Sequence, residues 1–91
     1  MTSEGYPEDE ELAEVKELGF DFKAGCDRMG ELFEATGYCR GYGYLTDGSF
    51  ELHTGGWSGC EELIAAAMES MWWLRYWYQT TRGGHYLFKA E

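Results

Sequence analysis

Thr54-Gly55-Gly56-Trp57-Ser58-Gly59-Cys60-Glu61-Glu62, answered downstream by Arg82-Gly83-Gly84-His85-Tyr86, organises the C-terminal half of the chain. Gly55 and Gly56 supply a tight turn. Ser58 followed by Glu61 has the spacing of a capping box, in which each side chain satisfies a backbone donor of the other residue. A helix is therefore expected from about Gly59 to Ser70, with Leu63, Ile64, Ala67, Met68 and Met71 as its apolar stripe. Ala65, Ala66 and Ala67 keep it slim. Gly83-Gly84 reads as a hairpin turn joining Trp72–Thr80 to His85–Phe88. Trp72–Thr80 admits two readings. Continuing the helix would make it longer than twenty residues, and the run of aromatic and apolar side chains favours a strand.

Upstream, Asp47-Gly48 between two aromatic-rich runs is a strong short hairpin signal. A two-residue loop there pairs Leu45 with Phe50, Gly43 with Leu52 and Tyr42 with His53. Alternation then gives Cys39, Gly41, Gly43, Leu45, Phe50, Leu52 and Thr54 one face, expected to be the core face, flat enough for a helix to approach closely. Tyr38, Arg40, Tyr42, Tyr44, Glu51 and His53 take the other, wet face.

The N-terminal third reads as two helices. Pro7 suits a first helical position, acids follow it in the first turn, and Leu12, Val15 and Leu18 form a stripe to a cap at Gly19. That gives a helix from about Pro7 to Leu18 after a mobile tail, residues 1–6. A second helix, about Ala24 to Ala35, carries Cys26, Met29, Leu32 and Phe33, with Gly37 as its cap. The expected fold is α+β in the order α-α-β-β-α-β-β, with one antiparallel four-stranded sheet and helices packed on it. Residues 1–91 form a single domain: an acidic helical segment over 7–36, then a hairpin–helix–hairpin unit over 37–91.

Net charge is −10, and it is concentrated. Residues 1–36 hold eleven acids and three bases, against six and four in residues 37–91. Such a surface repels nucleic acid and anionic membranes and attracts a basic protein surface. Three cysteines without a Cys-x-x-Cys pair argue for free thiols in a reducing setting. The first eleven residues are mostly polar and acidic, unlike a signal peptide, and no apolar run approaches the roughly 20 residues of a membrane helix.

The motif over Thr54–Glu62, a Trp-rich segment, Arg82-Gly-Gly-His-Tyr86 and an aromatic at Phe88 together resemble a group of small proteins of tailed bacteriophages. The resemblance covers roughly residues 50–88 and carries no known activity, so no catalytic residues come with it. It implies action in the cytoplasm of an infected bacterium. By analogy with other small acidic phage proteins, it also implies inhibition of a host system such as restriction or CRISPR.

The residues offer little chemistry of their own. Cys60 in the first turn of a helix has a setting that activates thiols, but the expected pairing puts His53 on the far sheet face. Cys26, Cys39, Cys60, His53 and His85 lack the close-spaced pairs of structural zinc sites, so no metal and no cofactor is expected. The Gly55–Gly59 loop precedes a helix N-terminus but lacks a phosphate-loop lysine, and Glu61 and Glu62 repel anions. Its residues, with Arg82, Gly83 and Gly84, read as a structural motif.

Partner binding is expected instead at two places. Glu8, Glu10, Glu11 and Glu14 lie off the first helix's apolar stripe and present a row of charge. Tyr38, Arg40, Tyr42 and Tyr44 combine residue types enriched at protein interfaces, unless the two N-terminal helices cover them. The expected function is non-enzymatic: occupation of a basic, nucleic-acid-binding surface of a host protein, with no direct nucleic-acid or membrane contact. A homodimeric accessory role is the alternative, and a small-ligand binder or enzyme using the glycine loop is the third.

Overall fold

A computed structural model describes residues 1–91. The elements run α1 (Asp9–Lys16), α2 (Phe22–Thr36), β1 (Gly41–Tyr44), β2 (Phe50–His53), α3 (Ser58–Ala67), α4 (Met71–Tyr76), β3 (Trp77–Thr81) and β4 (His85–Phe88). The strands form one antiparallel sheet ordered β1-β2-β4-β3, so the two hairpins join through β2 and β4. The expected α+β class holds, with one helix more than the sequence reading gave. No helix is long and apolar enough to cross a membrane.

The expected stripe of α2 is the centre of the core: Cys26, Met29, Leu32 and Phe33 are all buried. They meet Phe50, Leu52, Leu63, Ile64, Trp72 and Phe88. Asp21 caps α2 by accepting from the Ala24 amide, and Gly37 ends it in the left-handed region at φ 76°. On α1 only Val15 of the stripe is fully buried. Gly19 does not cap α1, which closes earlier at Glu17. Residues 1–6 are docked: Gly5 is buried, and Tyr6 stacks on Trp57 with ring centroids 4.7 Å apart.

The first hairpin is one residue out of the expected register. Tyr44, not Leu45, lies opposite Phe50, and Tyr42 lies opposite Leu52. The cause is the loop. The Leu45 amide bonds the Ser49 carbonyl at 2.8 Å, and the Gly48 amide bonds the Leu45 carbonyl at 3.0 Å. Gly48 sits at φ 87°. Asp47 turns its carboxylate onto the Ser49 amide and hydroxyl. The loop is thus the three residues Thr46-Asp47-Gly48, a turn with a left-handed glycine, rather than a two-residue turn. One extra residue flips every side chain to the other face. Tyr42 and Tyr44 therefore share the helix-covered face with Phe50 and Leu52. Gly41 and Gly43 share the opposite face with His53 and Glu51, and a Cβ on either glycine would meet nothing within 4 Å. The expected flat, glycine-lined core face is overturned. The close approach occurs at Gly30 of α2, where a Cβ would sit 3.1 Å from the Tyr42 ring.

The capping box at Ser58 and Glu61 is absent. Trp57 occupies the N-cap position without a side-chain bond, and Ser58 is the first helical residue, its hydroxyl 2.9 Å from that of Tyr6. The true punctuation is Ser70. Its hydroxyl donates to the Ala67 carbonyl at 2.6 Å, closing α3, and accepts from the Trp73 amide at 3.0 Å, opening α4. The expected strand over Trp72–Thr80 is therefore half helix, and Met68 and Met71 of the expected α3 stripe are exposed. Trp72 holds α4 in place: it is fully buried and lies against Phe88, and its indole N–H reaches the Phe22 carbonyl at 3.2 Å.

Two further findings concern the motifs. Cys39 and Cys60 form a disulfide across a sequence separation of 21, so only Cys26 is a free thiol and the expectation of three is corrected. The pairing arises because the α2–β1 connection and α3 bring the two Cα atoms to 5.8 Å, within disulfide reach, and sequence spacing gave no sign of that. The two glycine-rich signatures also touch. The Thr54 amide bonds the Gly84 carbonyl at 2.9 Å, and a Cβ at Gly84 would lie 2.1 Å from Thr54 Oγ1. Gly55, Gly56, Gly83 and Gly84 all have positive φ, which only glycine adopts without strain.

Candidate functional site

Two places on this frame gather polar side chains: a cleft between α2 and β1, and the sheet face that no helix covers. The cleft, about 550 Å³, is lined by Cys26, Asp27, Gly30, Glu31, Glu34, Tyr42, Gly43, Tyr44 and Phe50. Its acids come from α2 at i, i+4 and i+7, hence one helix face. The register slip in the β1–β2 loop is what turns the tyrosines toward them. Tyr42 donates its phenol proton to Glu34 at 2.7 Å, and Tyr44 donates to Asp27 at 2.9 Å. Both rings remain about half exposed, at 43% and 48%.

The electrostatics follow from these bonds. The Asp27 carboxyl is held below its ordinary value by the Lys23 ammonium and then by the Tyr44 hydroxyl. The bond to Glu34 raises the Tyr42 phenol, and burial together with Asp27 raises that of Tyr44. Burial pushes the Cys26 thiol up to about 12, so it stays protonated and unreactive at neutral pH. The cleft is thus an acidic trough with two aromatic walls, suited to a cationic side chain through ion pairing and ring contact.

The expected partner-binding residues are divided by the fold. Tyr42 and Tyr44 line the cleft. Arg40, exposed, stands at the mouth of a neighbouring cleft with Glu34 and Tyr42. Tyr38 is apart from them: its ring lies tilted against Trp57 with centroids 4.7 Å apart, and Tyr6 meets the same indole at 4.7 Å, so Trp57 plugs the end of the core in contact with two tyrosines. Of the four acids expected to bind a partner, Glu10 is exposed, while Glu8, Glu11 and Glu14 have internal partners. Glu14 takes a two-pronged bond from Arg28, at 2.6 and 2.9 Å, that ties α1 to α2. Its carboxyl is held low chiefly by that guanidinium. Glu11 accepts from the Glu8 amide at 2.9 Å, and both carboxylates meet the Met1 amino group. The reading of the sequence passed over Asp27, Glu31 and Glu34, although their helical spacing was visible.

The uncovered sheet face brings the neighbours Glu51 and His53 of β2 together with His85, which is distant in sequence. His53 of β2 lies directly opposite His85 of β4, and their rings stack with centroids 4.0 Å apart and planes 10° apart. Glu51, two residues before His53 and so on the same face, puts Oε1 2.7 Å from His53 Nε2 and 3.3 Å from His85 Nε2. His85 Nε2 is buried and makes no hydrogen bond. Cys60 and His53 are not a catalytic pair, because Cys60 is in the disulfide and His53 faces away from α3.

Comparison with protein-family models, with curated proteins and with solved structures finds no match.

Proposed function

We propose that this chain is a non-enzymatic binding protein of bacteriophage origin that occupies a basic surface of a host protein, one that normally holds nucleic acid, and inhibits it. A defence system such as restriction or CRISPR is the target class that the resemblance suggests. The observation that carries the reading is the α2–β1 cleft, where Asp27, Glu31 and Glu34 run beside the half-exposed rings of Tyr42 and Tyr44. Acids at helical spacing present negative charge in a row, and tyrosines beside them add contact area at low entropic cost. Exposed Asp9, Glu10 and Glu17 on α1 extend the same sign of charge and would steer a basic partner inward. The Cys39–Cys60 disulfide lies apart from the α2–β1 cleft, so the reading does not depend on whether a reducing cytoplasm opens it. The proposed contact uses neither sulfur.

A second reading has its own observation. Strand β3 is a sheet edge exposed along its whole length, with Trp77 45%, Tyr78 54% and nearby Leu74 75% exposed. Such an edge pairs readily with a second copy.

The test is capture of a host protein from lysate, followed by binding with both proteins purified. The proposal expects binding that weakens with salt, competes with the target's own nucleic acid, and is lost when Asp27→Asn, Glu31→Gln and Glu34→Gln are combined. Binding that ignores salt and the triple substitution would overturn it. Self-association removed by Trp77→Lys, with no host protein bound, would select the second reading.

A further inference from the structure

The cluster on the uncovered sheet face plays no part in the proposed protein contact, and its donor set has a chemistry of its own. Two imidazoles and one carboxylate are the ligands that zinc and its first-row neighbours take at sites with an open position. Here one ligand atom from each of Glu51, His53 and His85 lies within 4.8 Å of the other two, and Glu51 Oε1 is 2.7 Å from His53 Nε2 and 3.3 Å from His85 Nε2.

They are also placed as a site would need them. β2 and β4 are the two central strands, so the Cα positions of all three residues are fixed by ladders on both sides. Rigid strands hold ligand geometry better than loops do. The side chains are partly sheltered, at 24% exposure for Glu51, 30% for His53 and 32% for His85.

Their arrangement is awkward as it stands. His85 Nε2 is buried without a hydrogen bond, although a carboxylate oxygen lies 3.3 Å away. A buried polar atom left unpaired is destabilising. A cation between the three atoms would give that nitrogen a partner and neutralise Glu51. Binding requires movement, because rings stacked 10° from parallel aim their lone pairs side by side rather than at one point. Both rings must tilt toward a common centre, and their exposed edges leave room for that.

Access comes from the neighbouring strand. Gly41 lies opposite His53, and Gly43 lies opposite Glu51. Neither has a side chain, and an added Cβ there would meet nothing within 4 Å. That side of the cluster is therefore free of side chains, and an ion and a water can approach across it.

We infer that Glu51, His53 and His85 form a binding site for one divalent first-row transition-metal ion, of which zinc fits the donors best, with a remaining coordination position open to solvent. The chain's net charge of −10 draws cations toward it. The site is independent of the α2–β1 cleft and lies on the other face of the sheet.

The test uses the disulfide-bonded protein and the metal alone. Zn²⁺ added in competition with a chromophoric chelator should bind at one ion per chain. Co²⁺ should give a visible absorption band of moderate intensity, as in a low-coordinate site. Glu51→Gln, His53→Ala and His85→Ala should each weaken Zn²⁺ by more than about tenfold, since even the partners of metal ligands are worth about 10–100-fold. Each variant is checked for a native circular dichroism spectrum. In the unmodified protein, paramagnetic Co²⁺ should shift the ring protons of His53 and His85 together, which needs no variant. The inference is overturned if no stoichiometric Zn²⁺ binding is seen. It is equally overturned if folded His53→Ala and His85→Ala bind as well as the parent, or if Co²⁺ leaves both ring signals unmoved.

Discussion

Replacing Gly25 with alanine tests the feature that places α4, the packing of Trp72 on α2. A Cβ at position 25 would lie 2.2 Å from Trp72 Cδ1 and 2.3 Å from Nε1. Ordinary carbon–carbon contact begins near about 3.5 Å, so the indole must retreat by about 1.3 Å. It has nowhere to go: Trp72 is fully buried, stacks 4.5 Å from Phe88, and donates to the Phe22 carbonyl at 3.2 Å. Overpacking costs about 1–3 kcal/mol, and loss of the indole hydrogen bond adds about 1 kcal/mol. Alanine returns about 1 kcal/mol of helix propensity. The net loss is about 1–3 kcal/mol, which lowers Tm by roughly 5–20 °C in a domain of this size. Gly30→Ala is the control. It lies in the same helix and gains the same propensity, but its Cβ would meet the Tyr42 ring at 3.1 Å, and that ring is 43% exposed and can swing aside. Thermal and urea melts of the two variants isolate the Trp72 contact. The double variant Gly25→Ala with Trp72→Leu should lose less than the sum of its parts, because the two changes share one space. If Gly25→Ala melts at or above Gly30→Ala, Trp72 is not seated on α2 and the helix assigned to Met71–Tyr76 is wrong.

Ser70→Ala should cost about 1–2 kcal/mol, since it removes the cap of α4 and the bond to the Ala67 carbonyl together. Ser58→Ala should stay within about 0.5 kcal/mol, as its hydroxyl meets only that of Tyr6 at the surface; equal melting losses would mean that the helix starts are misplaced. The Cys39–Cys60 bond closes a loop with a sequence separation of 21, which on chain-entropy grounds is worth about 3 kcal/mol. Denatured, air-oxidised protein should therefore show one thiol, Cys26, to a thiol reagent, and reduction should lower the melting point. Three reactive thiols before reduction would contradict the pairing.

The sequence by itself determined the features that rest on local periodicity and on glycine. The α2 stripe of Cys26, Met29, Leu32 and Phe33, the left-handed cap at Gly37, the two turns and the α+β class were all legible, because each depends on residues close in the chain. Tertiary structure decided the rest. Whether Asp47-Gly48 closes a two-residue or a three-residue loop was settled by the register in which β1 meets β2, and that choice set which face of β1 the tyrosines take. The pairing of Thr54 with Gly84 explains why both glycine signatures are present, yet it joins distant segments. Ser70 had a capping residue's chemistry, but the run from Trp72 onward suits strand as well as helix, and only burial of Trp72 against Gly25 selects helix. Cys39 meets Cys60 where the α2–β1 connection passes α3, and His85 meets Glu51 and His53 through the β2–β4 pairing of the order β1-β2-β4-β3. That order is a property of how hairpins and helices share one core, and no local pattern encodes it.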